Sequence, residues 1–220
     1  MVEKDFIVKS IDEALNKCTD YPKANALRNY NPEDYPNDTD SSFEAWSKQN
    51  EEQLKVEYER WDKNRVHYYG KNTYHVINSM LWDNDDWKRG VERGIYDDQE
   101  YYDEFVEGLD KVIEKSPPIQ VPTTVYRGGR FPQGMKIGDH GVLKGYTSTS
   151  YNPNTARGFK ATDEDRYLIT IRVAKGTKGV LFNEQFETFT ESELLVGRNQ
   201  KYVVLNVNDD AKEVEILLYD

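Results

Sequence analysis

Cysteine is all but missing from this chain: Cys18 is the single one in 220 residues. That excludes a disulfide framework. The three histidines (His67, His75 and His140) share no ligand spacing, which argues against a cysteine–histidine metal site. Long apolar runs are lacking too. The opening stretch MVEKDFIVKSIDEAL has no long apolar run, so neither a signal peptide nor a transmembrane helix is expected. The expectation is a soluble protein that does not engage a membrane, cytoplasmic in the cell that makes it or in the cell it acts on. Positive charge is scarce, with 29 Lys and Arg against 40 Asp and Glu, for a net charge of −11. Such a surface repels a phosphate backbone, which argues against direct nucleic-acid binding and favours a basic protein partner.

What is present is enough for a core. Hydrophobic residues make up 37%, a lean figure, but sixteen tyrosines and four tryptophans add buried area. The chain changes character near residue 117. Before it the pattern is helical and charged; after it short β-branched runs alternate with glycine, asparagine and proline. This order predicts an α+β fold. Residues 4–18 fit a short amphipathic helix, and residues 19–42, with three prolines, read as a loop. The domain reading is an N-terminal extension or linker over 1–42 and one domain over 43–220, helical to 116 and β-rich from 117. A helix is predicted to start at Ser41 or Ser42, with Phe43, Trp46, Leu54, Tyr58 and Trp61 on one face. A second carries Tyr74, Ile77, Asn78 and Leu81. A third carries Tyr102, Phe105, Val106, Leu109, Val112 and Ile113 and stops before Pro117-Pro118. Seven strands are predicted: 123–127, 141–150, 166–173, 179–182, 193–196, 201–206 and 214–218, spaced as in a two-sheet sandwich.

Three short polar motifs lie on or beside these strands. Tyr126-Arg127-Gly128-Gly129 ends the first. An arginine fork suits phosphate oxygens, and glycine admits a close approach to the backbone. Ser148-Thr149-Ser150 ends the second, where a hydroxyl can fix the rotamer of a neighbouring carboxylate. Glu191-Ser192-Glu193 opens the fifth, and residues two apart on a strand face the same way, so two carboxylates can divide labour. Each motif alone also fits a solvated surface, and forty acidic residues make E-x-E pairs common by chance.

The joint pattern is more specific. Tyr69-Gly70, Tyr74, Ile77-Asn78 and Leu81, then TTVYRG at 123–128, GYTSTS at 145–150, Ala156-Arg157-Gly158-Phe159 and ESELLVGRNQKYVV at 191–204 occur in order. Over residues 43 to 220 the chain resembles the arginine–serine–glutamate class of mono-ADP-ribosyltransferases, the clostridial-toxin-like and phage-type enzymes. The resemblance implies two packed, mainly antiparallel β-sheets flanked by N-terminal helices, with a cleft for NAD as co-substrate and no metal. It implies that Arg127 binds the NAD phosphates, with Arg157 as a lesser candidate, and that the Gly128 backbone holds the nicotinamide amide. Ser148 would aim Glu193, and Glu193 would bond the ribose and stabilise its cation. Thr149, Phe159, Asn78 and Tyr74 would complete the NAD site. Glu191, with Phe186 or Phe189, would recognise the acceptor. Glutamate at position 191 goes, in the family, with arginine modification. The implied function is transfer of ADP-ribose to a protein side chain, arginine first, by a phage or bacterial effector acting on a host protein. The readings left beside it are an NAD glycohydrolase, a catalytically idle binding protein of the same fold, and an acidic structural protein.

Overall fold

The computed structural model describes residues 11, 12, 15, 21–82, 84–160, 166–186 and 193–219. Six described helices precede the strands: α1 (Tyr21–Asn29), α2 (Thr39–Leu54), α3 (Arg60–Tyr68), α4 (Tyr74–Leu81), α5 (Asp85–Glu92) and α6 (Gln99–Lys115). A π turn at Tyr69–Thr73 joins α3 to α4. A later helix, α7 (Pro153–Lys160), lies between the third and fourth strands. Helix α6 follows its sequence signals closely. The Asp98 carboxylate accepts the Tyr101 N–H, the apolar stripe from Tyr102 to Ile113 is buried, and the helix stops at Ser116 before the prolines.

Two expectations for the N-terminal part change. Residues 19–42 are not all loop, because they contain α1. Pro22 sits in its first turn, where the missing N–H costs little, so this proline opens a helix and does not mark a linker. Leu27, Tyr30 and Tyr35 then pack with Ile11 against Val203, Leu205, Leu217 and Tyr219. Most of the helix expected over 4–18 lies outside the described residues. Helix α2 is capped by Asp38, not by Ser41 or Ser42: one Asp38 oxygen accepts the Ser41 N–H at 2.7 Å and the other accepts its hydroxyl at 2.9 Å. These bonds hold the Asp38 carboxyl below its ordinary range. The expected helix breaks after Leu54, and its expected apolar face divides: Tyr58 is buried and Trp46 packs on the sheet core, whereas Phe43, Leu54 and, on α3, Trp61 are exposed. The buried residues of α2 itself are Ser42, Gln49 and Gln53.

The strands are β1 (Thr123–Arg130), β2 (His140–Leu143), β3 (Thr147–Ser150), β4 (Arg166–Val173), β5 (Gly179–Leu181), β6 (Glu193–Val196), β7 (Gln200–Asn208) and β8 (Glu213–Tyr219). There are eight where seven were expected, because 141–150 breaks at Lys144-Gly145-Tyr146. The first piece pairs with β7 and the second with β6. The order across the sheet is β2-β7-β8-β4-β1-β3-β6-β5, antiparallel throughout except for β4 beside β8.

One joint in this sheet matters for function. β1 pairs with β4 along its whole length but meets β3 only at Tyr126 opposite Ser150. The sheet therefore folds there into a five-strand half (β2-β7-β8-β4-β1) and a three-strand half (β3-β6-β5). Val125, Ile169, Ile171, Val204 and Ile216 of the first share one core with Leu181, Leu194 and Val196 of the second. The two-layer expectation holds in packing, although the hydrogen bonds make one continuous sheet. The other face of the small half, with Val180, Phe182 and Leu195, packs on Val66, Ile77, Leu109 and Val112 of the helices. On the outer face of the large half, Arg172 bonds Glu215 at 2.6 Å and the Thr124 hydroxyl at 2.8 Å, beneath Pro36 of the N-terminal segment. Among the described residues no helix is long and apolar enough to cross a membrane.

Candidate active site

The fold joint creates the site. Arg127 is the first residue of β1 past its last contact with β3, so nothing in β3 pairs with it. Its side chain bridges the gap: Nη1 donates to the Ser148 carbonyl at 2.8 Å. Its other donors have no partner among the described residues. The β3–β6 register sets Ser150 opposite Glu193 and Ser148 opposite Leu195. Ser148 and Glu193 are therefore diagonal neighbours on one face, and the Ser148 hydroxyl donates to Glu193 Oε1. That face also carries Tyr146 and Leu195, which belong to the helix-side core. The carboxylate, 8% exposed, is thus turned toward the helical layer and away from the apolar filling between the sheet halves.

Behind it stand Tyr69, 1% exposed, and Asn78. Asn78 Nδ2 donates to the Tyr69 hydroxyl at 3.0 Å and to the Tyr146 carbonyl at 3.2 Å. The π turn that begins at Tyr69 is a device that recurs at functional sites. Burial lowers the Arg127 pKa from its ordinary value, while Tyr69 and Glu193 raise it and Arg166 adds repulsion. Burial raises the Tyr69 hydroxyl well above its ordinary value, opposed by Arg127 and by the bond from Asn78. Tyr69 is then a neutral phenol beside a guanidinium at pH 7. Among the described residues, the buried Asn78 Oδ1 has no partner and the Tyr69 proton has no acceptor. Unmatched buried groups of this kind ask for an occupant. A dinucleotide, rich in hydroxyls, amide groups and phosphate oxygens, fits both them and the free edge of Arg127.

The other expected site residues fall in three places. Tyr74 and Phe159 are half exposed, and Arg157 is exposed with Nη1 on Asn154 Oδ1 at 3.1 Å. Phe159 and Arg157 ride on α7, which lies against β1, β3 and β4. Gly128 needs to be glycine because of that helix: a Cβ there would stand 2.2 Å from the Ala156 carbonyl oxygen and 2.5 Å from the Lys160 nitrogen. Helix packing, rather than ligand approach, accounts for this residue type. Thr149 does not join Ser148. It points to the opposite face, buried, with its hydroxyl on the Leu194 carbonyl at 2.7 Å, so it locks β3 to β6. Phe186 is a core residue, 1% exposed and packed on Tyr58, which leaves it no surface for an acceptor. Glu191 and Phe189 lie outside the described residues. Among the described residues no group of His, Cys, Asp and Glu could hold a metal ion. A small apolar pocket lined by Trp46, Ile119, Tyr151 and Leu194 opens on the reverse face of β6 and includes none of the cleft residues.

Sequence reasoning gave Tyr69 no role beyond a family signature, and it missed Asp110 and Arg198. Tyr146 donates to Asp110 Oδ1 at 2.7 Å, and Arg198 clasps the same carboxylate at 2.7 and 2.9 Å. This network anchors the residue that precedes the serine strand. Only its buried tyrosine was visible in the sequence pattern.

The profile of the ADP-ribosyltransferase exoenzyme family matches residues 43–219. The chain belongs to this family. The exoenzyme match begins in α2, so α1 lies ahead of the matched region and packs on its outer face. Among curated proteins, the NAD(+)–arginine ADP-ribosyltransferase EFV of Enterococcus faecalis is 30% identical over 120 residues, 53% of this chain and 24% of that one. The chain thus spans about a quarter of that relative's length. Among solved structures, the ADP-ribosyltransferase Vis of Vibrio splendidus, in complex with agmatine, has a TM-score of 0.62 at 17% identity over 88% of each chain. C3stau2 of S. aureus, solved with NAD, has a TM-score of 0.59 at 20% identity over 80% of this chain and 93% of that one. At such identities these likenesses establish the exoenzyme fold.

Proposed function

We propose that this exoenzyme transfers ADP-ribose from NAD to an arginine side chain of a target protein and releases nicotinamide. The observation that carries the reading is the Glu193 carboxylate, nearly buried, held by the Ser148 hydroxyl at the joint where β1 parts from β3 just before Arg127. The curated relative named for arginine transfer, the agmatine complex of Vis and the NAD complex of C3stau2 support it.

Breaking the bond between the ribose C1′ and the nicotinamide nitrogen sends the electron pair out with nicotinamide and leaves positive charge on the sugar. A fixed carboxylate in a poorly hydrated site stabilises that charge as it forms. Glu193 takes this role, and Ser148 holds its rotamer. Arg127 holds the phosphates, and Asn78 and Tyr69 supply an acceptor and a donor to the dinucleotide. Tyr74, Phe159 and Arg157 flank the mouth. A guanidine nitrogen of the acceptor then forms the new bond to C1′ and loses a proton, which Glu191 receives. The net charge of −11 favours a basic target. The reading places the protein among toxins and effectors that act on a host protein.

The test is incubation with NAD labelled in its adenylate half and with agmatine as arginine mimic. Equal amounts of nicotinamide and labelled agmatine adduct are expected. Free ADP-ribose without adduct would make the protein a hydrolase, and no nicotinamide at all would overturn the enzymatic reading. Glu191→Gln should keep NAD hydrolysis and lose the adduct.

A further inference from the structure

Helix α2 buries amides where a helix of this length normally buries aliphatic side chains. Gln53 is fully buried, and its amide forms two hydrogen bonds with one residue of the edge strand β5: Nε2 donates to the Leu181 carbonyl at 2.7 Å, and Oε1 accepts the Leu181 N–H at 2.7 Å. A residue of a neighbouring antiparallel strand would make the same pair of bonds with its N–H and carbonyl. Gln49, one turn earlier on the same face, does likewise to the loop before β1, donating to the Pro117 carbonyl at 2.8 Å and accepting the Gln120 N–H at 3.2 Å. Asn50 and the backbone at Leu54 and Val56 extend the seam to Asn183 and Gln185.

The Gln53 seam is linked to the carboxylate. β5 is three residues long and is the last strand of the small half. Its inner side carries Leu181 opposite Leu194, and the next residue, Phe182, donates its N–H to the Glu193 carbonyl at 2.9 Å. Glu193 is thus held on one side by β3, through the Ser148 hydroxyl, and on the other by a strand whose outer edge ends at Gln53. An edge strand this short has little stability of its own. Without the amide, the Leu181 N–H and carbonyl would be buried without partners, which the strand relieves by moving.

We propose that Gln53 is a positioning residue: acting as a one-residue surrogate strand, it fixes β5 and through it the backbone of Glu193. The proposal rests on the transferase reading, and wild-type turnover is measured first so that failure of that reading is seen separately. The experiment compares Gln53→Met, which keeps volume and removes both bonds, with Gln49→Met, which does the same to a loop that packs on β6 through Ile119 but, among the described residues, makes no hydrogen bond to β5 or β6. Both variants lose similar thermal stability. Gln53→Met lowers kcat for nicotinamide release at least about 10-fold, with KM for NAD within about two-fold, whereas Gln49→Met stays within about two-fold in both. Equal kcat losses in the two variants, or a wild-type kcat in Gln53→Met, would overturn the proposal. Gln53→Glu gives a second reading that does not depend on the Met variant folding. Its carboxyl donates to the Leu181 carbonyl only when protonated, so its kcat relative to wild type rises as pH falls. A pH-independent ratio would count against the surrogate-strand role.

Discussion

Removing the Ser148 hydroxyl is the sharpest single perturbation of the proposed chemistry. In Ser148→Ala the Glu193 carboxylate loses the donor on Oε1, and at 8% exposure little water can replace it. A hydrogen bond to a charged group contributes about 1.5–3 kcal/mol. The Arg127 bond goes to the Ser148 backbone carbonyl, so it survives the substitution and the phosphate end of the cleft is undisturbed. If the hydroxyl serves alignment in the transition state, the whole loss falls on the barrier, and about 1.36 kcal/mol per decade gives a kcat lower by roughly 10- to 150-fold. The assay is nicotinamide release at saturating NAD, with NAD affinity measured by calorimetry and folding by thermal melting. A wild-type kcat, or a loss confined to NAD affinity, would refute the reasoning.

Other outcomes follow from the same geometry. Thr149→Val removes the bond to the buried Leu194 carbonyl and should cost about 1–3 kcal/mol of stability in denaturant melts, with NAD affinity unchanged. Gly128→Ala drives a Cβ into the backbone of α7, so it should destabilise by about 1–3 kcal/mol and shift that helix, read by thermal melting and by proteolysis at its flanks. Burial, then the bond and charge of Asp110, hold the Tyr146 hydroxyl far above its ordinary value. Its folded pKa is raised, so its contribution is complete below the unfolded value of about 10 and is lost as pH rises beyond it. Urea melts between roughly pH 8 and 11 should show this alkaline loss, and Tyr146→Phe should flatten it.

The most legible parts of the chain were those whose pattern and environment agree. The stripe from Tyr102 to Ile113 and the runs at 166–173 and 193–196 became α6, β4 and β6 because one face of α6 and of β4, and both faces of β6, meet an apolar layer. Arg127, Ser148 and Glu193 were legible as separate motifs, and the register of β3 with β6 and the β1–β3 joint bring them together. Helix α2 was misread for a physical reason. It lies along the edge of β5 and the loop before β1, where the groups to be covered are backbone amides, so Gln53 and Gln49 face inward beside Trp46, and Phe43 and Leu54 face outward. Thr149 was misread because a strand reverses faces at each residue, which separates it from Ser148. Phe186 carried the same local signal as any loop aromatic, and only packing against Tyr58 reveals it as core.

The most direct test of the account replaces the Glu193 carboxylate by an amide of the same shape. Glu193→Gln should bind NAD within about two-fold of wild type and release nicotinamide at least ~100-fold more slowly, since a single well-placed charge-stabilising group contributes about 3–4 kcal/mol to such a step. Turnover at the wild-type rate in that variant would contradict the assignment of Glu193.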